Sequence, residues 1–197
     1  MLRDYPPLVF ARLQPGTGYA QPTQAVPEKV AADDAALSVM TDLTRVTAVI
    51  ILPGDTVDEA HRRMIQRGVR LLLVVDQDRK VVGLITATDI LGEGPVLAAS
   101  ERGVRREEVM VRDIMTPWER LEVLDMAHVR ASKVGHVVAT LRKAGRQHAL
   151  VVDSDVRGRQ TVHGLFSATQ IARQLGATIQ TSEIARTFSE IEALLSR

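Results

Sequence analysis

The residues of this chain best suited to chemistry lie in one short segment, Gly83-Leu84-Ile85-Thr86-Ala87-Thr88-Asp89. An apolar run precedes Thr86 and a short helical pattern follows it. We therefore predict that Thr86, Thr88 and Asp89 lie at a helix N-terminus, where free amides and the helix dipole attract anions. The hydroxyls could donate to phosphate oxygens, and the carboxylate could accept from two neighbouring hydroxyl groups. Gly83, without a side chain, would allow a ligand to approach the backbone.

The same segment also has a purely structural interpretation. Thr86 and Asp89 have the spacing of a helix N-cap with an acid in the first turn, which stabilises a helix by about 1 kcal/mol and needs no ligand. Taken alone, the motif favours this interpretation. A ligand site therefore needs support from the rest of the chain.

The rest of the chain contains an internal repeat. The segment 46–90 recurs at 123–171, and each copy has an apolar strand, a helical pattern, two more strands and a short helix. The strand after each helix, Leu71 to Asp76 and His148 to Asp153, is nearly all apolar, which is typical of a strand covered on both faces. We predict a mixed α/β (α+β) fold with two β-α-β-β-α repeats related by a pseudo-twofold axis.

The alignment of the two copies also predicts the first strands, the helix C-caps and the longer hairpin loop. The first strands are expected at Val46–Leu52 and Met126–Val129. Gly68 and Gly145 stand where left-handed helix C-caps belong. The second hairpin is four residues longer than the first, and we expect the additional residues in its loop, within Ser154–Gln160.

The repeat also divides the chain into five parts. They are an N-terminal extension (1–36), the first repeat (37–94), a connector (95–112), the second repeat (113–176) and a C-terminal amphipathic helix (177–197). The connector is long enough to hold a helix of its own, predicted from Pro95 to Arg102. On the C-terminal helix, Phe188 is expected to pack on its own domain or to anchor a homodimer.

These features together resemble the CBS domain family, named after cystathionine beta-synthase, whose members carry such units as tandem pairs. The cues are Met40-Thr41, Met115-Thr116-Pro117, Asp55 to Ala60, the Val-Val-Asp turns and the segment Gly83 to Asp89. Both chain ends lie outside the resemblance. It implies that a cleft between the repeats binds AMP, ADP, ATP or an S-adenosyl compound.

Within this resemblance the chain has one strong and one weak candidate site. The strong site consists of Asp89 for the ribose, Thr86, Thr88 and Gly83, Arg70 for phosphate, and Ala127, on the other repeat's first strand, for the base. The weak site consists of Ser167, Thr169, Gln170, His148 and Ile50. Gln170 replaces the aspartate and forms a capping box with Ser167, so the charge-assisted hydrogen bond to ribose is lost. Structural roles remain open for Arg70, as a surface arginine, and for His148, as a half-buried histidine.

Composition narrows the function. The chain has no cysteine, 25 basic and 24 acidic residues, and 3% aromatic residues, which disfavours thiolate chemistry and nucleic-acid binding. No metal-binding histidine spacing, catalytic motif or membrane-length apolar segment is present in the sequence. We expect a cytoplasmic, non-enzymatic, stand-alone ligand sensor without a catalytic cofactor, acting on an unidentified effector protein and forming a homodimer. A ligand-free homodimerisation scaffold and an adenine-nucleotide hydrolase are the alternatives.

Overall fold

A computed structural model describes residues 29–176 of the chain. The predicted C-terminal helix with Phe188 and most of the N-terminal extension lie outside the described residues. The helices are α1 (Val57–Arg67), α2 (Ala87–Leu91), α3 (Gly94–Arg102), α4 (Val111–Ile114), α5 (Met126–Arg130), α6 (Val134–Ala144) and α7 (Ala168–Gln174). The strands are β1 (Thr41–Asp42), β2 (Ile50–Ile51), β3 (Leu71–Val75), β4 (Val81–Thr86), β5 (Thr116–Pro117), β6 (Val123–Asp125), β7 (His148–Ser154) and β8 (Gln160–Ser167). Over residues 29–176, no helix is long and apolar enough to cross a membrane.

The strands form two four-stranded sheets, ordered β2-β3-β4-β5 and β1-β8-β7-β6. In each sheet the first strand of a unit pairs in parallel with the strand after its helix, and the last two strands form an antiparallel hairpin. A two-residue strand from the other repeat completes each sheet, because β1 pairs with β8 and β5 pairs with β4. The predicted mixed α/β fold with two β-α-β-β-α units is confirmed, with an exchanged strand at one edge of each sheet.

Helices α1 and α6 show why the two units fold alike. The Thr56 hydroxyl accepts a hydrogen bond from the backbone N–H of Glu59 at 3.2 Å, which satisfies a free amide at the start of α1. Both helices end at a left-handed glycine, Gly68 with φ 64° and Gly145 with φ 62°. A residue with a side chain adopts this conformation only with strain, so the predicted C-caps are confirmed. The predicted connector helix is α3.

The two sheets pack against each other through a shared apolar core. Strand β3 is buried along its whole length because alternate side chains enter different cores. Leu72 and Val74 pack with helices α1 and α2, while Leu71 and Leu73 join Leu150 of the second sheet. This shared core fixes the two repeats relative to each other, and the cleft described below lies between them.

Two predicted first strands are wrong in position or length. Strand β2 covers only Ile50–Ile51, and β6 covers Val123–Asp125 rather than Met126–Val129. The latter residues lie in α5, because the Asp125 carboxylate accepts a hydrogen bond from the backbone N–H of Ala127 at 2.8 Å and caps that helix. The spacing of apolar residues in so short a run does not distinguish a strand from a helix. Here the capping residue Asp125 favours the helix.

The second hairpin is longer in its strands and not in its loop. Strands β3 and β4 have five and six residues, whereas β7 and β8 have seven and eight, so two residues are added on each side. The loops 76–80 and 155–159 have equal lengths. The additional residues extend the ladder through the pairs Asp153↔Thr161 and Ser154↔Gln160. The predicted longer loop is therefore wrong, since pairing satisfies the backbone groups of these residues.

Gly83 and Gly164 lie where the exchanged strands cross the hairpins. A Cβ atom on Gly83 would lie 2.6 Å from the carbonyl oxygen of Thr116, and one on Gly164 would lie 2.6 Å from the sulfur of Met40. Both distances are shorter than side-chain atoms tolerate. The missing side chain of Gly83 thus admits strand β5, which corrects the prediction that it admits a ligand.

Candidate ligand-binding cleft

A cavity of about 360 Å³ lies between the two repeats. The end of β4 and the start of α2 bound it on one side, and the segment before β6 and the loop after α6 bound it on the other. Its lining residues are Leu84, Thr86, Thr88, Asp89, Thr116, Arg120, Leu121, Glu122, Gly145, Arg146, Gln147, His148 and Leu150. Three residues of the predicted strong site, Thr86, Thr88 and Asp89, thus share one cleft.

Asp89 closes a capping box and still has an oxygen available. Its Oδ2 accepts hydrogen bonds from the backbone N–H of Thr86 at 2.8 Å and from the Thr86 hydroxyl at 2.7 Å. The Thr86 oxygen accepts in turn from the backbone N–H of Asp89 at 3.3 Å. Oδ1 accepts no hydrogen bond from a described residue. The structural interpretation of the motif is therefore correct, and it leaves one carboxylate oxygen for a ligand.

The basic residues of the cleft differ from those predicted. His148 lines this cleft rather than the weaker one, and Arg70 is not among the residues that line it. Arg120 and Arg146 contribute instead. Arg146 pairs with Glu122 at 3.0 Å, whereas Arg120 has no ion-pair partner among residues 29–176.

His148 is uncharged at neutral pH. Burial of the imidazole, followed by the nearby positive charge of Arg70, lowers its pKa from 6.5 to about 4. Its ring makes no hydrogen bond to a described residue. A neutral imidazole has one donor and one acceptor nitrogen, so His148 can hydrogen-bond a ligand but supplies no charge for a phosphate.

A second, apolar cavity of about 220 Å³ adjoins this cleft. It lies between α6 and the strands β6 and β7, and Glu122, Arg146 and His148 line both cavities. Its other lining residues are Val123, Leu124, Thr140, Leu141, Ala144 and Ala149. Together the two cavities offer a polar compartment and an apolar one, which suits a ligand with the same division.

Ala127 was predicted to face Asp89 from the other repeat's first strand, and this is wrong. Ala127 is exposed on α5 and lines neither cavity. The strand of the second repeat that precedes α5 ends at Asp125, so the segment that faces Asp89 is Leu121–Glu122. Asp89 therefore shares the cleft with Leu121 and Glu122, which precede the first strand of the second repeat.

The side chains of the weaker site are occupied by contacts within the chain. Gln170 Oε1 accepts a hydrogen bond from the Thr41 hydroxyl at 3.1 Å, and only the Ser167 half of the predicted capping box forms. The carbonyl of Ile50 accepts from Arg63 at 2.8 Å. Thr169, in the first turn of α7, is half-buried. That this cleft is the poorer one stays a prediction.

The sequence prediction missed Arg120, Glu122 and Arg146. Arg146 follows the C-cap Gly145, and Glu122 immediately precedes β6. No local pattern marked Arg120. Among the described residues, no group of three His, Cys, Asp or Glu side chains could hold a metal ion.

The fold and the cleft define this chain as a tandem-repeat α/β protein with a cleft between its repeats. Residues 37–95 match the CBS domain family, so the chain contains a CBS domain. It is 26% identical to an uncharacterized 17.7 kDa protein of Acidianus ambivalens over 73% of this chain and 76% of the relative. Solved structures with the same fold include an uncharacterized conserved protein from Pyrococcus horikoshii (TM-score 0.54, 22% identity, 78% of this chain, 100% of that chain). They also include Arabidopsis thaliana CBSX2 in complex with AMP (TM-score 0.51, 19% identity, 71% and 94%).

Proposed function

We propose that this protein binds one adenosine-containing ligand in the cleft that holds Asp89 and reports its presence to a partner protein. The single observation that carries the proposal concerns Asp89, whose Oδ1 accepts no hydrogen bond from a described residue and which lines, with residues of the other repeat, a cavity of about 360 Å³. The complex of the similarly folded CBSX2 with AMP supports an adenosine ligand.

We assign the parts of such a ligand to the two compartments. The carboxylate of Asp89 accepts from the ribose hydroxyls, and the phosphate is received by the exposed Thr88 and by Arg120, which has no ion-pair partner among the described residues. The base enters the apolar cavity beside Val123 and Ala149, where burying its rings is favourable. This assignment gives Arg70 no role in the site.

Thermal unfolding tests the proposal with AMP, ADP, ATP and S-adenosylmethionine. A ligand at 100 times its dissociation constant stabilises the native protein by about 2.7 kcal/mol, which gives an easily measured shift in melting temperature. Asp89→Asn keeps an oxygen that can accept from Thr86 but removes the charge. We expect this variant to lose at least about tenfold in affinity, because hydrogen bonds to charged groups contribute about 1.5–3 kcal/mol.

The chain offers a matched control for that variant. Asp113 closes another capping box, accepting from the backbone N–H of Met110 at 2.8 Å, and it does not line the cleft. Asp113→Asn should lower stability without changing ligand affinity. If no adenosine compound shifts the melting temperature of the wild type, the proposal is wrong and the scaffold alternative takes its place.

A further inference from the structure

An ion pair lies, together with His148, where the two cavities adjoin. Glu122 and Arg146 line both cavities, and their charged groups lie 3.0 Å apart. Glu122 comes from the segment before β6, and Arg146 comes from the loop between α6 and β7. The pair therefore connects two chain segments at the junction of the polar and the apolar compartment.

We propose that this ion pair sets the ligand selectivity of the cleft by closing the apolar cavity. A ligand confined to the polar compartment binds with the pair intact. A ligand that also places a ring in the apolar cavity must first separate Glu122 from Arg146. This inference rests on the proposed function, since it concerns how a base reaches the cavity beside the Asp89 site.

The exposure of the two side chains makes such opening possible. Glu122 has 80% of its side chain exposed and Arg146 has 40%, so both charged groups remain hydrated when they separate. Exposed ion pairs of this kind are worth less than about 1 kcal/mol. The pair therefore lowers the affinity of ligands that place a ring in the apolar cavity, but it does not prevent them from binding.

Single substitutions distinguish a gate from a direct ligand contact. Both residues also line the polar compartment, so each substitution changes the charge beside the phosphate of any ligand there. Ribose 5-phosphate has no base and reports this charge effect alone. Breaking the pair from either side opens the gate, so Glu122→Gln and Arg146→Gln should both raise the affinity for AMP relative to that for ribose 5-phosphate, by about two- to fivefold for an exposed pair. If Arg146 only contacts the phosphate, the two variants change both affinities alike and leave their ratio unchanged.

Calorimetric titration of the full chain with AMP and with ribose 5-phosphate measures these affinities. The charge-exchanged variant Glu122→Arg/Arg146→Glu re-forms the pair and should return AMP affinity to the wild-type value. The control pair is Arg130 and Asp153, 3.5 Å apart and similarly exposed in the same repeat, neither of which lines a cavity. Arg130→Gln and Asp153→Asn should leave both affinities unchanged.

The outcomes separate this inference from the proposed function. If AMP binds to the wild type but the two variants do not both raise its affinity relative to that of ribose 5-phosphate, the gate is overturned and the ligand site stays intact. Equal gains for AMP and ribose 5-phosphate also overturn the gate, because the base would then be irrelevant. Absence of AMP binding to every variant and to the wild type overturns the proposed function and the gate together.

Discussion

The clefts that hold Asp89 and Gln170 come from the same repeated unit and differ in the side chains that a ligand would meet. Asp89 presents a carboxylate oxygen to a cavity, while Gln170 is hydrogen-bonded to Thr41. At the matching position on the longer helix, Arg63 of the first repeat donates to the Ile50 carbonyl at 2.8 Å, whereas Thr140 of the second repeat lines the apolar cavity.

This difference separates what the fold needs from what a ligand site needs. The two repeats share their helix C-caps, their hairpins and the glycines at the strand crossings, and these features produce the same backbone twice. The candidate site depends on positions where the copies differ. A long arginine in the first repeat covers the backbone that a short threonine leaves accessible in the second.

The largest expected effect comes from making the second repeat resemble the first at Thr140. In Thr140→Arg the new side chain should reach the Val123 carbonyl, as Arg63 reaches that of Ile50, and occupy the apolar cavity. We expect AMP affinity to fall by about 100-fold, which corresponds to roughly 2.7 kcal/mol, in a calorimetric titration.

Stability should change little in this variant, because Thr140 is exposed on α6. The control is Ala139→Arg, which adds the same side chain at an exposed neighbouring position that lines neither cavity. Unchanged AMP affinity in Thr140→Arg would show that the base does not enter the apolar cavity.

The next largest effect is expected at Gly83 and Gly164, where the exchanged strands cross the hairpins. The two glycines occupy matching positions but contact different groups of the exchanged strands. In Gly83→Ala the new methyl group meets the backbone oxygen of Thr116, which cannot move without shifting β5. In Gly164→Ala it meets the flexible side chain of Met40, which can change rotamer. We expect a loss of about 2 kcal/mol of unfolding free energy for Gly83→Ala and less than about 1 kcal/mol for Gly164→Ala.

Chemical denaturation of both variants measures these losses. Equal losses would mean that Met40 is held as rigidly as backbone, and a smaller loss at Gly83 would mean that β5 detaches easily from the first sheet. The exchange of short strands between repeats would then contribute little to holding the two sheets together.

The fold could be predicted from the sequence because repetition compensates for weak local signals. A short apolar strand or one glycine such as Gly68 is ambiguous alone. Because the same order of apolar runs and glycines occurs in both copies, the helices, the hairpins and the C-caps could be predicted. Repetition did not show that β1 and β5 cross to the opposite sheet. Two-residue strands carry too little pattern to name their partners, so this exchange needed the structure.

The site was predictable only where a motif lies within one element. Thr86, Thr88 and Asp89 follow one another on the chain, and their proximity needs no tertiary information. The facing side of the cleft depends on where β6 lies, and the misplaced strand led to Ala127 rather than to Leu121 and Glu122. Arg70 and His148 were assigned from their positions in the repeat, which do not show which cleft a side chain lines.

The smallest expected effect tests the other side-chain difference between the two clefts, His148 where the first repeat has Leu71. The pKa of His148 is about 4 in the folded protein, lowered by burial and by Arg70, against 6.5 for the solvent-exposed ring in the unfolded chain. Between these values the unfolded chain binds a proton that the folded protein does not. The unfolding free energy should therefore decrease as the pH falls from 6.5 towards 4.

At pH 5.5 we expect His148 to lower the unfolding free energy by about 1 kcal/mol. Each pH unit in this window corresponds to about 1.4 kcal/mol, and the partial exposure of the ring reduces this value. His148→Gln should remove this part of the pH dependence in denaturation curves recorded from pH 7 to 4.5. The control is His128→Gln, an exposed histidine on α5 that lines neither cavity. If His148→Gln and the wild type lose stability in parallel, the imidazole is protonated in the folded protein, and the cleft then carries a positive charge at acidic pH that would favour phosphate.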